Sequence, residues 1–316
     1  MSRLLQALHS GRVLLMDGAM GTELQRRGLK EGEPPELWNL THPDEVRAVH
    51  RANVDAGAEV LVTNTFQAYQ GALSHYWAEH RLDDGFAMDR LGTVRGLREC
   101  LDEIWQAATT HVRLFHGRQP ILLASLGPIR WRISMRQIRP MLEVYRATDA
   151  LLLETQTLAH ANGCLLVDHN LGLPVLFSFT YDKSSPPTEM ALMAKKCAAL
   201  ANRDGAAALG ANCGKEIDME DLLQIVGAYR QKTDLPIFIR PNAGTPTRTA
   251  NGWQYPRSPE YMADKLWPLL EAGVTMVGGC CGTTPAHIAA FRKVIDEWNA
   301  RRAKQQRPVI DGPLFQ

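Results

Sequence analysis

The sequence predicts a single (β/α)₈ barrel. Three observations point to it. Eight short apolar runs alternate with longer stretches of helical spacing. Runs of that kind, buried on both faces and joined by helices, make a parallel sheet. Polar or thiol-bearing residues stand at the end of every run, where such a barrel carries its active site.

In chain order, the run Val13–Met16 leads into Asp17-Gly18-Ala19-Met20-Gly21-Thr22, and Glu59–Thr63 into Asn64-Thr65-Phe66. Ile121–Ser125 leads into Leu126-Gly127-Pro128, Ala150–Leu153 into Glu154-Thr155, and Val175–Ser178 into Phe179-Thr180. Ala206–Leu209 is followed by Asn212-Cys213, Ile237–Ile239 by Arg240-Pro241-Asn242-Ala243-Gly244, and Val274–Val277 by Gly279-Cys280-Cys281-Gly282. A long helix is expected over Asp89 to Ala108. Leu222, Ile225, Val226 and Tyr229 share one helical face, as do Ile288, Phe291, Ile295 and Trp298. Thr284-Pro285 and Ser258-Pro259 each pair an N-cap residue with proline at the first helical position. Pro268 predicts a kink or break inside a helix from Pro259 to Ala272. The polar, basic segment His111–Gln119 reads as a surface loop. Thr245–Ser258, with Asn251-Gly252 and nearby prolines, reads as a loop over one end of the barrel. The barrel is expected to fill residues 1–300, with a loosely held tail over 301–316.

Composition is ordinary for a globular chain: 45% hydrophobic, 22% charged, net charge +1. That balance does not suggest a nucleic-acid or anionic-membrane partner. Met1 to Ser10 lacks the apolar core of a signal peptide, and no apolar run approaches the ~20 residues of a membrane span. A cytoplasmic location, with reduced thiols, is expected.

In that setting Cys280 and Cys281 read as metal ligands rather than a disulfide. Neighbours on a straight strand point to opposite faces, so two adjacent cysteines share an ion only where the chain turns, and the flanking glycines supply the turn. Cys213 also stands at a strand end. The remaining three, Cys100, Cys164 and Cys197, fall in predicted helices and read as small buried side chains. Three thiolates on one zinc ion leave one position open. Such a centre carries a net charge near −1, which suits it poorly to activating water. It suits the ionisation of an incoming thiol, which titrates near ~8.5 when free. Alkyl transfer to sulfur is the reaction this predicts.

Asp17 alone reads as a turn residue. Glu154 interrupts Leu151-Leu152-Leu153 and would be buried without a task. The two carboxylates are open to two readings: a site for the ammonium of an amino acid, or an acid/base pair of the glycosidase kind. The cysteines favour the first. The turn Gly18-Ala19-Met20-Gly21 offers backbone N–H groups to a carboxylate.

Taken together, Asp17 to Glu23, Asn64-Thr65-Phe66, Glu154-Thr155, Asn212-Cys213, Pro241-Asn242-Ala243-Gly244 and Gly278 to Pro285 resemble the homocysteine S-methyltransferase family. The resemblance covers roughly Leu14 to Ile295. It is nearest to the homocysteine-binding module of cobalamin-dependent methionine synthases. It implies zinc on Cys213, Cys280 and Cys281. It also implies homocysteine held by Asp17 and Glu154 through its amino group and by backbone near Ala19 and Met20 through its carboxylate, with Asn64 among the substrate-binding residues. The product would be methionine, and the methyl group would come from a small donor or from a separate corrinoid protein. Between Pro128 and Leu151 the chain is shorter than the family pattern, and Ala147-Thr148-Asp149 stands where that pattern has a Gly-Val-Asp-like turn. The difference bears on the donor site more than on the metal. The shortening also motivates a rival, a zinc- and thiol-binding barrel acting as a sensor or as the partner of a corrinoid protein. Methyl transfer to another thiol or a selenol is a third reading.

Overall fold

All eight apolar runs are strands: β1 (Leu14–Leu15), β2 (Val60–Val62), β3 (Ile121–Leu126), β4 (Ala150–Gln156), β5 (Val175–Phe179), β6 (Ala208–Asn212), β7 (Ile237–Arg240) and β8 (Val274–Val277). The computed structural model describes residues 2–69, 73–75, 94–113, 119–129, 135–162, 172–250 and 252–305. The strands pair in parallel in the order β1-β8-β7-β6-β5-β4-β3-β2. A parallel bridge between Met16 and Val60 joins the two outer strands. The Asp17 N–H donates to Val60 O at 2.9 Å and the Glu59 N–H to Leu15 O at 2.8 Å, drawing the sheet into a barrel.

Side chains alternate along a strand, so every second residue enters the barrel. Leu14 and Met16, Val60 and Val62, Ile121 and Leu123, Ala150 and Leu152, Leu176, Ala208, Phe238 and Met276 form one apolar cluster. Leu4 and Leu8 of the helix Arg3–His9 join it from the N-terminal end. Arg3 holds that helix in place by donating to Gln119 O, Pro120 O and the Asp149 carboxylate. One step further along the same alternation the interior turns polar: Asn64, Ser125, Glu154, Ser178 and Arg240. All five are buried. The barrel is thus filled with hydrocarbon at one end and with hydrogen-bonding groups at the other.

The opposite strand faces pack under the helices. The predicted helical stripes at Leu222, Ile225, Val226 and Tyr229, and at Ile288, Phe291, Ile295 and Trp298, are buried against them. Each aliphatic or aromatic side chain so placed contributes roughly 1.5–3 kcal/mol of transfer free energy.

Several boundaries differ from expectation. The helix Val94–Arg113 takes in the first part of the segment read as a surface loop, and His111 is buried with Nε2 2.9 Å from Asn39 O. The apolar stripe Ile104, Ala108, Val112 simply continues beneath polar neighbours. Residues 89–93 of the expected long helix and 114–118 of the expected loop lie outside the described residues. The break expected from Pro268 occurs between Pro259–Asp264 and Leu266–Glu271, four residues upstream of the ring, where proline removes a helical bond and crowds a carbonyl. Thr245–Ser258 is more than a loop: Thr247–Thr249 and Gly252–Gln254 pair as an antiparallel hairpin. Ala147-Thr148-Asp149 leads into β4, and Asp149 accepts from the Leu122 N–H at 2.9 Å. The last helix, Pro285–Gln305, extends into the expected tail, whose remainder lies outside the described residues. No described helix is long and apolar enough to cross a membrane.

Candidate functional site

At the C-terminal end of the barrel, Cys213, Cys280 and Cys281 come together with their three sulfur atoms within 4.8 Å of one another. Cys280 Sγ and Cys281 Sγ are 4.0 Å apart. The chain turns sharply to achieve this. Cys213 sits in the left-handed region at φ 56°, a conformation that is costly for a residue with a Cβ. The Cys280-Cys281 turn depends on its glycines. A Cβ on Gly279 would lie 2.2 Å from Thr283 Oγ1, and one on Gly282, which has φ 82°, would lie 2.1 Å from the Tyr255 ring. Tyr255 follows the hairpin, so the segment predicted to cover the barrel does pack on the thiol-bearing turn.

Polar groups surround the sulfurs. Asn242 Nδ2 donates to Cys213 Sγ at 3.6 Å and to Gly214 O at 3.3 Å, while its buried Oδ1 has no hydrogen-bond partner among the described residues. Asn212 Nδ2 lies 3.9 Å from Cys280 Sγ and donates to Thr155 Oγ1 at 2.8 Å. Asn212 Oδ1 accepts from the Thr155 N–H at 2.9 Å and from Ser178 Oγ at 2.6 Å. Thr155, like Cys213, is left-handed at φ 58°.

Crowding splits the acidities of the thiols. S–H donation from Cys280 and Cys281 pushes the Cys213 thiol down to about 3. Those same bonds push Cys280 up to about 11 and Cys281 well above the usual thiol range. The donor set fits zinc: bonds of ~2.3 Å at tetrahedral angles place sulfurs about 3.8 Å apart, close to the 4.0 Å between Cys280 and Cys281. Among the described residues, no other group of three metal-ligating side chains converges in this way. Cys100 and Cys197 are buried in helices as expected, and Cys164 lies outside the described residues.

The two carboxylates do meet, on a residue that sequence reasoning did not single out. Arg240, at the end of β7, donates from Nη2 to Asp17 Oδ1 at 3.2 Å and from Nη1 to Glu154 Oε2 at 2.8 Å. Asp17 Oδ2 accepts from the Val62 N–H at 2.8 Å, and Ser125 Oγ donates to Glu154 Oε1. All three charged residues are at most 8% exposed. Burial raises Asp17 to about 7 although Arg240 opposes it, and burial raises Glu154 against the same opposing charge. Desolvation outweighs the guanidinium at both. The signal for Arg240 was its place in the alternation after inward-facing Phe238, but that face is known only once the barrel register is known.

The remaining candidates line the neighbouring wall. The Ala19 N–H donates to Thr283 Oγ1 at 3.1 Å, and Thr283 Oγ1 donates in turn to Cys280 O at 2.7 Å. The turn Ala19-Met20 is thereby tied to the double-cysteine turn. Asn64 is buried, and its Nδ2 donates to Pro35 O at 2.7 Å. It also approaches Asn39 Oδ1 at 3.4 Å, so it holds the loop before Trp38 in place.

Comparison with known proteins places the chain in a family. The family model described as homocysteine S-methyltransferase matches residues 14–295. The chain is 31% identical over 313 residues to a methionine synthase from Mycobacterium leprae, covering 91% of this chain and 25% of that protein. It is 29% identical over 327 residues to one from Mycobacterium tuberculosis, covering 94% and 26%. It spans about a quarter of the length of these relatives. Among solved structures, the metallated form of the homocysteine methyltransferase MmuM from Escherichia coli superposes with a TM-score of 0.63 at 25% identity, over 92% of this chain and 99% of that one. The chain belongs to the homocysteine S-methyltransferase family.

Proposed function

We propose that this chain transfers a methyl group to the sulfur of homocysteine, giving methionine, with zinc held by Cys213, Cys280 and Cys281. The observation that carries the reading is the convergence of three sulfurs beside two buried carboxylates at the polar end of the barrel. Family membership and the metallated E. coli relative support it. Zinc, when bound, supplies a Lewis acid that lets a thiol ionise at neutral pH.

The protein's own residues bind and orient. Asp17 and Glu154 receive the ammonium of homocysteine. The Ala19-Met20 turn receives its carboxylate, and Asn64 braces the wall beside them. Anchoring both ends of the amino acid fixes the direction in which its sulfur points. The displacement is in line: the thiol proton leaves to solvent, a lone pair of the resulting thiolate forms the bond to the methyl carbon, and the carbon–donor bond breaks with its electron pair leaving on the donor. Holding that alignment is where the site gains rate. The methyl group comes from a small cationic donor or from a corrinoid carried by a separate protein.

The test has two parts. Zinc is measured in the purified protein and in Cys213→Ser, Cys280→Ser and Cys281→Ser; each variant should lose stoichiometric metal while keeping its circular dichroism spectrum. Methionine formation is then followed with homocysteine and a panel of S-methylmethionine, S-adenosylmethionine, betaine and methylcobalamin. Full zinc in all three variants would defeat the metal assignment. Homocysteine binding without turnover for any donor would defeat the catalytic one and favour a sensor.

A further inference from the structure

The strand-end cluster contains a cation where an amine site would call for acids alone. Arg240 is buried, fully inside the ring formed by β1, β4 and β7, and bridges the two carboxylates expected to receive ammonium. We propose that Arg240 is a positioning residue for the thiol substrate: it holds Asp17 and Glu154 as a fixed pair of hydrogen-bond acceptors, and so makes the pocket select a thiol that carries a free amino group. This rests on the reading above, that the two carboxylates bind an ammonium.

Three features support the assignment. First, the guanidinium does not saturate the acids. A carboxylate offers about four acceptor sites. Asp17 uses one site on Oδ1 for Arg240 and one on Oδ2 for the Val62 N–H. Glu154 uses one on Oε2 for Arg240 and one on Oε1 for Ser125. Each oxygen retains capacity, and an ammonium needs three acceptors. Second, the charges balance. Two acids face one guanidinium, so one acid is left over for a second cation, and an ammonium brought between them favours the ionised form of both. Third, the fork is rigid. A planar guanidinium with one Nη on each acid sets their separation and rotation. Without it, two buried like charges turn away from each other or share a proton, and either change removes acceptors from the amine.

The opposite role makes the opposite prediction. If Arg240 merely occupied the amine site in the absence of substrate, its removal would tighten binding.

The experiment compares wild-type protein with Arg240→Met and Arg240→Lys, using L-homocysteine and 4-mercaptobutanoate, the same thiol acid without its amino group. Steady-state methylation gives KM and kcat for homocysteine, and calorimetry on the zinc-loaded protein gives affinity for both thiols. In Arg240→Met, KM for homocysteine should rise roughly tenfold or more, the scale of losing one partner of a buried charge pair, and kcat should change much less. Affinity for 4-mercaptobutanoate should stay near wild type, so the preference for the amino acid falls. Arg240→Lys keeps the charge without the fork and should recover part of that preference; it also carries the test if the methionine variant does not fold. An unchanged or lowered KM in Arg240→Met, or equal weakening of both thiols, would overturn the assignment. Wild-type protein that neither binds nor methylates homocysteine would instead bring down the functional reading, and this inference with it.

Discussion

His50 offers a measurable link between burial and acid stability. It lies on the inward stripe of the helix Pro43–Asp55 with Val46, Val49 and Val54, and it is 1% exposed. Among the described residues, neither ring nitrogen has a hydrogen-bond partner. Burial, with His111 adding to it, pushes its pKa from 6.5 down to about 3. The unfolded chain takes up a proton near pH 6.5 that the folded chain refuses until about pH 3. Stability from this residue is therefore fully present above pH 6.5 and drains away as pH falls toward 3. At about 1.4 kcal/mol per pH unit, the loss is about 2 kcal/mol at pH 5 and about 3 kcal/mol at pH 4. That is a large part of the ~5–15 kcal/mol that holds a domain together. His50→Leu removes the titrating ring and fills a similar space. Urea melts of both proteins at pH 7.5 and pH 5 should show the variant gaining about 2 kcal/mol on the wild type between the two conditions. Titration of the distant thiols and carboxylates cancels in that difference. An equal stability difference at both pH values would refute the claim that His50 is buried in the neutral state.

Two further perturbations address the thiol cluster. Asn212→Ala removes the amide that donates toward Cys280 and the acceptor of the Thr155 and Ser178 hydrogen bonds; zinc affinity, measured by competition with a chelating dye, should fall roughly 10–100-fold, and an unchanged affinity would show that Asn212 does not orient the ligands. Gly282→Ala places a Cβ into the Tyr255 ring at a residue with φ 82°; it should cost about 2 kcal/mol or more in chemical denaturation, with Gly282→Ala/Tyr255→Ala recovering the part due to the clash, and no recovery would assign the whole cost to the backbone.

The barrel was legible because its signals are local. Each strand is an apolar run bounded by a turn, and the helical stripes repeat at the helical period. The thiol cluster was legible for a related reason. Cys280 and Cys281 sit in a glycine-rich turn directly after β8, and Cys213 directly after β6, so barrel geometry alone brings them to one end. Arg240 was harder to place because an arginine after Ile237-Phe238-Ile239 reads equally well as the first exposed residue of a loop. Its inward direction follows from the register of β7 against β6 and β8, which is a long-range property. The hairpin after β7 was missed for want of an apolar alternation: all six of its strand residues are exposed. His111 was misplaced because polar composition was given more weight than the helical period passing beneath it.

The segment Arg240–Ala243 explains how cysteines 67 positions apart come to share one point. Its residues bind the cysteine turns in sequence. Arg240 O accepts from the Cys213 N–H at 3.2 Å, and Pro241 O from the Cys280 N–H at 2.8 Å. Asn242 reaches Cys213 Sγ with its side chain, and the Ala243 N–H donates to Cys281 O at 2.9 Å. Three of these four bonds are made by the backbone, so they persist through most side-chain substitutions. The segment has to keep its path out of β7 for the spacing to hold. Proline at 241 helps, because it fixes its own φ and pushes Arg240 away from helical conformations. The same restriction aims the Arg240 side chain at Asp17 and Glu154. One short stretch thus sets the positions of the sulfurs and of the paired acids together, and a change in its backbone would disturb the thiol cluster and the buried carboxylates as a unit.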